Sequence, residues 1–248
     1  MKPSPRLWLR APVGGHSGPR GIQPAILAGG WGPFFARLTP IVEQAKPQGV
    51  IISNPWGESP GPMRIDAYAA LCRDHPESPL TDATAFAEGV EDLGALCHVG
   101  VYLGGWAGPR ASLTDLARAY DVGLDRLPRS CIPIVDAAGD ALDFAGPLAD
   151  TMASKGFVKW GIEPMPRRGV AAFTVPSLCV VTGEWFKRHM GLADREPLSR
   201  LTYPVLVQAE SPFDTLTAVR AVVAGGCVPL VEAYRWREYA SVTEAGER

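Results

Sequence analysis

The chain has 248 residues, 46% of them hydrophobic, with 24 Lys and Arg against 26 Asp and Glu, a net charge of −2. That length is enough for one large domain with a sizeable core, and the balanced charge, with no run of Lys or Arg able to track a phosphate backbone, argues against a nucleic-acid partner. No stretch approaches the ~18 apolar residues of a membrane span, and Pro and Arg interrupt the first fifteen residues too often for a signal-peptide core, so the expectation is a soluble cytoplasmic protein.

In chain order, short apolar runs recur at 7–12, 49–54, 98–104, 131–136, 157–163, 178–184, 204–210 and 228–234. Each is rich in Val, Ile or Leu and is followed by a break containing Gly, Pro or Asn and then by an Ala/Leu-rich stretch. This alternation is the pattern of parallel βα units. Helical stripes stand out at Leu113 to Leu124, through Leu113, Leu116, Ala117, Tyr120 and Leu124, and at Thr215 to Ala224, through Leu216, Val219, Val222 and Val223. A third helix is expected over Ala83 to Leu96, capped by Thr81 or Asp82. Eight strands, with later ones separated by roughly one strand–loop–helix–loop unit, predict a single-domain (β/α)8 TIM barrel spanning residues 1–248, with a short polar C-terminal tail. The long Gly-, Pro- and Trp-rich segments after strands one and two would decorate its active face. An open doubly wound sheet alternates in the same way, but no Gly-x-Gly-x-x-Gly opens a helix, so a dinucleotide is not expected and no cofactor is assigned.

Five cysteines, at positions 72, 97, 131, 179 and 227, form no Cys-x-x-Cys pair and border apolar segments, as buried reduced thiols do. The four histidines have no i, i+4 pair, so no His-based metal site is expected.

The chemistry is carried by what ends the strands. Five of the proposed runs finish on or near an acid: Asp136, Glu163, Glu184, Glu210 and Glu232. In a barrel those ends converge on one mouth, where crowded carboxylates raise one another's proton affinity. Period-two alternation places Ile132, Ile134 and Asp136 on one face, and likewise Lys159, Gly161 and Glu163, and Leu206, Gln208 and Glu210. Lys159 on the lumen side could neutralise part of the cluster; pointing outward instead, its stem would be covered by a helix. Each acid also has a plainer role open to it, capping the following helix or pairing with a nearby Arg. Trp56, Tyr102, Trp106, Trp185, Tyr234 and Trp236 lie at or past strand ends, either as flat platforms for sugar rings or as caps over the core. Asn54, in Ser53-Asn54-Pro55-Trp56-Gly57-Glu58, could hold a hydroxyl.

Carboxylates with aromatic platforms at a barrel mouth are what glycoside hydrolysis requires: one acid to protonate the leaving oxygen and a second as nucleophile or base. The chain here resembles glycoside-hydrolase-like TIM barrels, over most of its length as architecture. In the large retaining clan of that fold the acid/base is the Glu of an Asn-Glu pair ending strand four, and the nucleophile is a Glu ending strand seven. Glu210 matches the second position, while Val135-Asp136 stands at the first, and strand four lacks the spaced acidic run of the chitinase-like group. The expectation is a glycosidase-type hydrolase with Asp136 and Glu163 as the catalytic pair and Glu210 as their rival. Asn54, Trp56, Tyr102, Trp106, Glu184, Trp185, Glu232 and Tyr234 would contact the carbohydrate. Two alternatives use the same residues: a Mg²⁺- or Mn²⁺-dependent isomerase or lyase on a sugar-like acid, and an inactive carbohydrate-binding or assembly protein, as a homo-oligomer or part of a larger particle. A Schiff-base aldolase built on Lys159 is a more remote third.

Overall fold

The computed structural model describes residues 7–12, 30–53, 82–102, 124–137, 145–164, 177–181, 183–192, 201, 203–208 and 215–237. Eight strands, β1 (Trp8–Pro12), β2 (Gly49–Ser53), β3 (His98–Tyr102), β4 (Ile132–Ala137), β5 (Gly161–Pro164), β6 (Leu178–Val181), β7 (Val205–Gln208) and β8 (Val228–Glu232), pair in sequence order as a closed parallel barrel, β8 returning to β1. The described helices are α1 (Trp31–Ala45), α2 (Ala83–Gly94), α3 (Ala145–Ser154), α4 (Gly183–Met190) and α5 (Thr215–Ala224), and a 3-10 turn, Ala233–Arg235, follows β8. This is the (β/α)8 TIM barrel expected from the alternation of short apolar runs and helical stripes. Of the stripe at Leu113 to Leu124, only the buried, helical Leu124 lies within the described residues.

The strands are apolar on both faces because both are covered. One set of side chains, including Leu9, Val50, Ile52, Val99, Val101, Ile162, Cys179, Val181, Val205, Val207 and Val231, faces the helices and packs with Trp31, Phe34, Leu38, Phe86, Val90 and Leu93. The alternate set, Trp8, Ile51, Ile132, Ile134, Leu178, Val180, Leu206 and Leu230, fills the lumen. Among the described residues no helix is long and apolar enough to cross a membrane.

Followed around the closed sheet, the register offsets return to β1 eight residues from the starting position, a shear of eight. With eight strands, this shear stacks lumen residues in layers of four drawn from alternate strands. The register gives Gly49, Ile132, Leu178 and Val228 as the lowest layer, then Trp8, Gly100, Gly161 and Leu206, then Ile51, Ile134, Val180 and Leu230. The middle layer works by size alternation: a Cβ at Gly161 would come within 2.6 Å of Leu178 and 3.1 Å of Ile134, and one at Gly100 within 2.9 Å of Ile134. Bare backbone at these positions leaves room for the large neighbours, and Trp8 supplies the bulk on the opposite wall. The result is a packed plug, so the chemistry has to lie above it.

Helix boundaries follow from local signals. Asp82 caps α2, its Oδ1 accepting from the backbone N–H of Thr84 (3.1 Å) and Ala85 (2.9 Å). α1 ends at Lys46, whose left-handed backbone (φ 46°) lets its N–H donate to the carbonyl of Val42.

Several strands are shorter than their apolar runs, and in two of them the difference bears on the site. β6 stops at Val181 and α4 begins at Gly183, so Glu184 and Trp185 are helical rather than strand-terminal. β5 begins at Gly161; Lys159 precedes it and is exposed, about 13 Å of extended chain from Glu163. Lys159 is therefore at the opposite end of the barrel from the acids and cannot neutralise them.

Candidate active site at the barrel mouth

Continuing the layers upward changes their chemistry. By backbone register, the next height above the apolar plug holds Arg10, Tyr102, Glu163 and Gln208, on β1, β3, β5 and β7. The height above that holds Ser53, Asp136 and Glu232, on β2, β4 and β8, the side chains of Ser53, Asp136 and Glu163 lying outside the described part of the structure. The switch in residue type happens within two positions on five of the strands: Trp8 to Arg10, Ile134 to Asp136, Gly161 to Glu163, Leu206 to Gln208, Leu230 to Glu232. It falls at the C-terminal ends of the strands, the face on which barrel enzymes build their sites.

Asp136 and Glu163 are register partners on neighbouring strands, which puts their Cα atoms about 4.8 Å apart. Both are one residue short of the strand end, since β4 continues to Ala137 and β5 to Pro164. Glu232 is the last residue of β8, pairs in register with Arg10, and stands on the strand opposite β4. Of the four expected acids that lie within the described residues, these three are on strands.

Glu184 is not among them. It occupies the exposed first turn of α4 and forms an ion pair with Arg188 one turn later, the plainer role open to a strand-end acid. Such an exposed pair contributes little to stability. Trp185, 4% exposed, is buried between the barrel and its helices and stacks on His189 with ring centroids 4.9 Å apart. It serves the core and does not rim the mouth. The early end of β6 is the cause: the helix that starts at Gly183 turns its Trp185–Phe186 face onto the barrel wall. Trp236 likewise packs against the outer core, with Arg237 over its ring. Tyr102, by contrast, is half-buried on top of the lumen cluster. Glu210, Asn54, Trp56 and Trp106 lie outside the described residues.

The wall made by β7, β8 and β1 carries a polar network. The guanidinium Nη1 of Arg10 donates to Oε1 of Gln208 at 3.3 Å. Those strands are not neighbours, so the bond spans the lumen face of β8, one layer below Glu232. Tyr234, in the turn after β8, donates its hydroxyl proton to the Glu232 carboxylate. Burial, followed by that bond and the Glu232 charge, holds the Tyr234 phenol well above its ordinary value, against the opposing pull of Arg235 and Arg10. Tyr234 therefore stays a neutral donor at any physiological pH.

Arg10 is the residue that sequence reading passes over. It is the only Lys or Arg in the described strands, and its signal is that a charged side chain two residues after Trp8 must share the lumen with it. Gln208 shares the lumen face with Leu206, as its spacing implies, though nothing in the sequence marks its partner.

Among the described residues no cluster of His, Cys, Asp and Glu has the geometry of a metal site. Cys97, Cys131, Cys179 and Cys227 are free thiols; Cys72 lies outside the described residues. Compared with protein-family models and with curated protein sequences, the chain matches none.

Proposed function

We propose that the protein is a carbohydrate-active hydrolase of the glycosidase type, with Asp136 and Glu163 as its acid/base or nucleophile pair. The observation that carries this reading is the side-by-side register of Asp136 and Glu163 immediately above an apolar plug. Two carboxyls carried on neighbouring Cα positions would repel and share protons unequally, which is how one comes to donate to a leaving oxygen while the other acts as a carboxylate. That division of labour is the requirement for cleaving a glycosidic bond. The opposite wall, Arg10, Gln208, Glu232 and Tyr234, offers the donors and acceptors a sugar ring needs, and Tyr102 offers an aromatic face beside the pair.

The test is a turnover screen of the purified chain on oligosaccharides and aryl glycosides, with and without chelator, in parallel with thermal-shift measurements. The expected result is hydrolysis of at least one neutral glycoside, unaffected by chelator, with stabilisation by its product. Stabilisation by Mg²⁺ or Mn²⁺ without any saccharide effect would replace this reading with a metal-dependent one.

A further inference from the structure

We propose that Arg10, Gln208, Glu232 and Tyr234 form one hydrogen-bonded subsite that grips a pair of neighbouring hydroxyls on the sugar, with Arg10 as its positioning residue. This deepens the carbohydrate reading and rests on it.

One side-chain bond and two placements build the subsite. Arg10 reaches Gln208 across the lumen face of β8 at 3.3 Å. It is the register partner of Glu232. Glu232 in turn accepts from Tyr234, whose phenol also feels the Arg10 charge. Around one point of the wall stand an acceptor-only carboxylate, a donor-only guanidinium, and two groups that both donate and accept, the amide and the phenol. Each sugar hydroxyl donates one hydrogen bond and accepts others, so two adjacent hydroxyls match this alternation. Bonds to the charged members of the set are the stronger ones.

The charge balance selects the sugar. The Arg10 cation is matched by Glu232 beside it, and by backbone register Asp136 and Glu163 stand at the same two heights across the barrel. An acidic group on the ligand would meet more carboxylates than cations here, so the subsite suits a neutral ring over a uronic acid. Arg10 acts through its neighbour: its bond holds the Gln208 amide in place beside Glu232.

The experiment compares Arg10→Met, Arg10→Lys and Tyr234→Phe with wild type in the full-length chain. Kd, KM and kcat are measured on the best neutral saccharide of the screen and on its uronic-acid counterpart. Arg10→Met should raise Kd and KM ten- to a hundredfold, on the order of one hydrogen bond to a charged group, with the effect in KM rather than kcat. Arg10→Lys should recover part of the loss, and Tyr234→Phe, which removes one hydroxyl without changing the ring, should raise KM severalfold. Unchanged Kd and KM in all three variants would overturn the subsite while leaving the hydrolase reading standing. So would a wild-type preference for the uronic acid that Arg10→Met abolishes, since Arg10 would then be a carboxylate receptor. Failure of wild type to bind any saccharide would overturn the carbohydrate reading and the subsite together.

Discussion

The Tyr234 phenol is held above its ordinary value by burial and by Glu232, and its titration follows. The unfolded chain ionises a tyrosine near 10.0, whereas the folded chain keeps the Tyr234 proton to higher pH because of burial and the Glu232 carboxylate. A folded-state value above the unfolded one means that its contribution to stability is whole below pH 10 and drains away as pH rises further. Ultraviolet difference titration of wild type against Tyr234→Phe should therefore show no phenolate signal from Tyr234 around pH 10. A full signal there would mean that the bond to Glu232 does not form in solution. The thiols make a parallel case. Burial pushes Cys97 and Cys227 up to about 11 and Cys131 up to about 12, the last despite the favourable Arg129 charge. In a Cys72→Ser background at about pH 8.5, where a free thiol is half ionised, alkylation should be slow in the native chain and fast after unfolding. Rapid native labelling would contradict the burial of these positions.

At the scale of elements, what positions the mouth is the seating of helices on the barrel, and the α1–α2 pair shows how tightly that is specified. Trp31, Phe34 and Phe35 of α1 meet Phe86 of α2 in an aromatic cluster, with the Trp31 and Phe86 rings 4.6 Å apart. Gly89, one turn after Phe86, is bare because a Cβ there would lie 2.0 Å from the Phe35 ring. Gly89→Ala gains helix propensity but forces the two helices apart. The expected balance is a loss of about 1–3 kcal/mol, read as a lower denaturation midpoint at unchanged m-value. A neutral or stabilising result would show that the helices are not in contact at this point. The Asp82 cap of α2 is legible as one of two adjacent candidates, and the structure selects it by its two backbone bonds. α1 is not legible in the same way: it follows a Gly-rich stretch, starts at Gly30 without a side-chain cap and carries Pro40 in its interior, so its start and continuity signals are weak.

For the whole molecule, the barrel is legible because closure needs only a count and an order. Eight apolar runs alternating with helical stripes supply both, and the shear of eight then follows from where the strands pair. The strand positions of the candidate acids are legible where a carboxylate ends a strand, as at Glu232, or sits one short of the end, as at Asp136 and Glu163. The pattern is misleading at Glu184, because Leu178 to Glu184 reads as one apolar run ending in an acid while the chain turns into a helix at Gly183. Trp185 misleads for the same reason, an aromatic near a strand end being equally at home under a helix. Arg10 escapes notice because its meaning depends on a bond to Gln208, 198 residues away, which no local pattern encodes.

The central claim is that Asp136 and Glu163 perform the chemistry above the plug. The measurement that tests it is kcat/KM of Asp136→Asn and Glu163→Gln on the best glycoside, with thermal midpoints recorded alongside. Each variant should lose about 10²- to 10⁴-fold or more, the range of one acid/base group, while its midpoint stays close to wild type. Wild-type turnover in either variant would remove that carboxylate from the mechanism, and wild-type turnover in both would contradict the account.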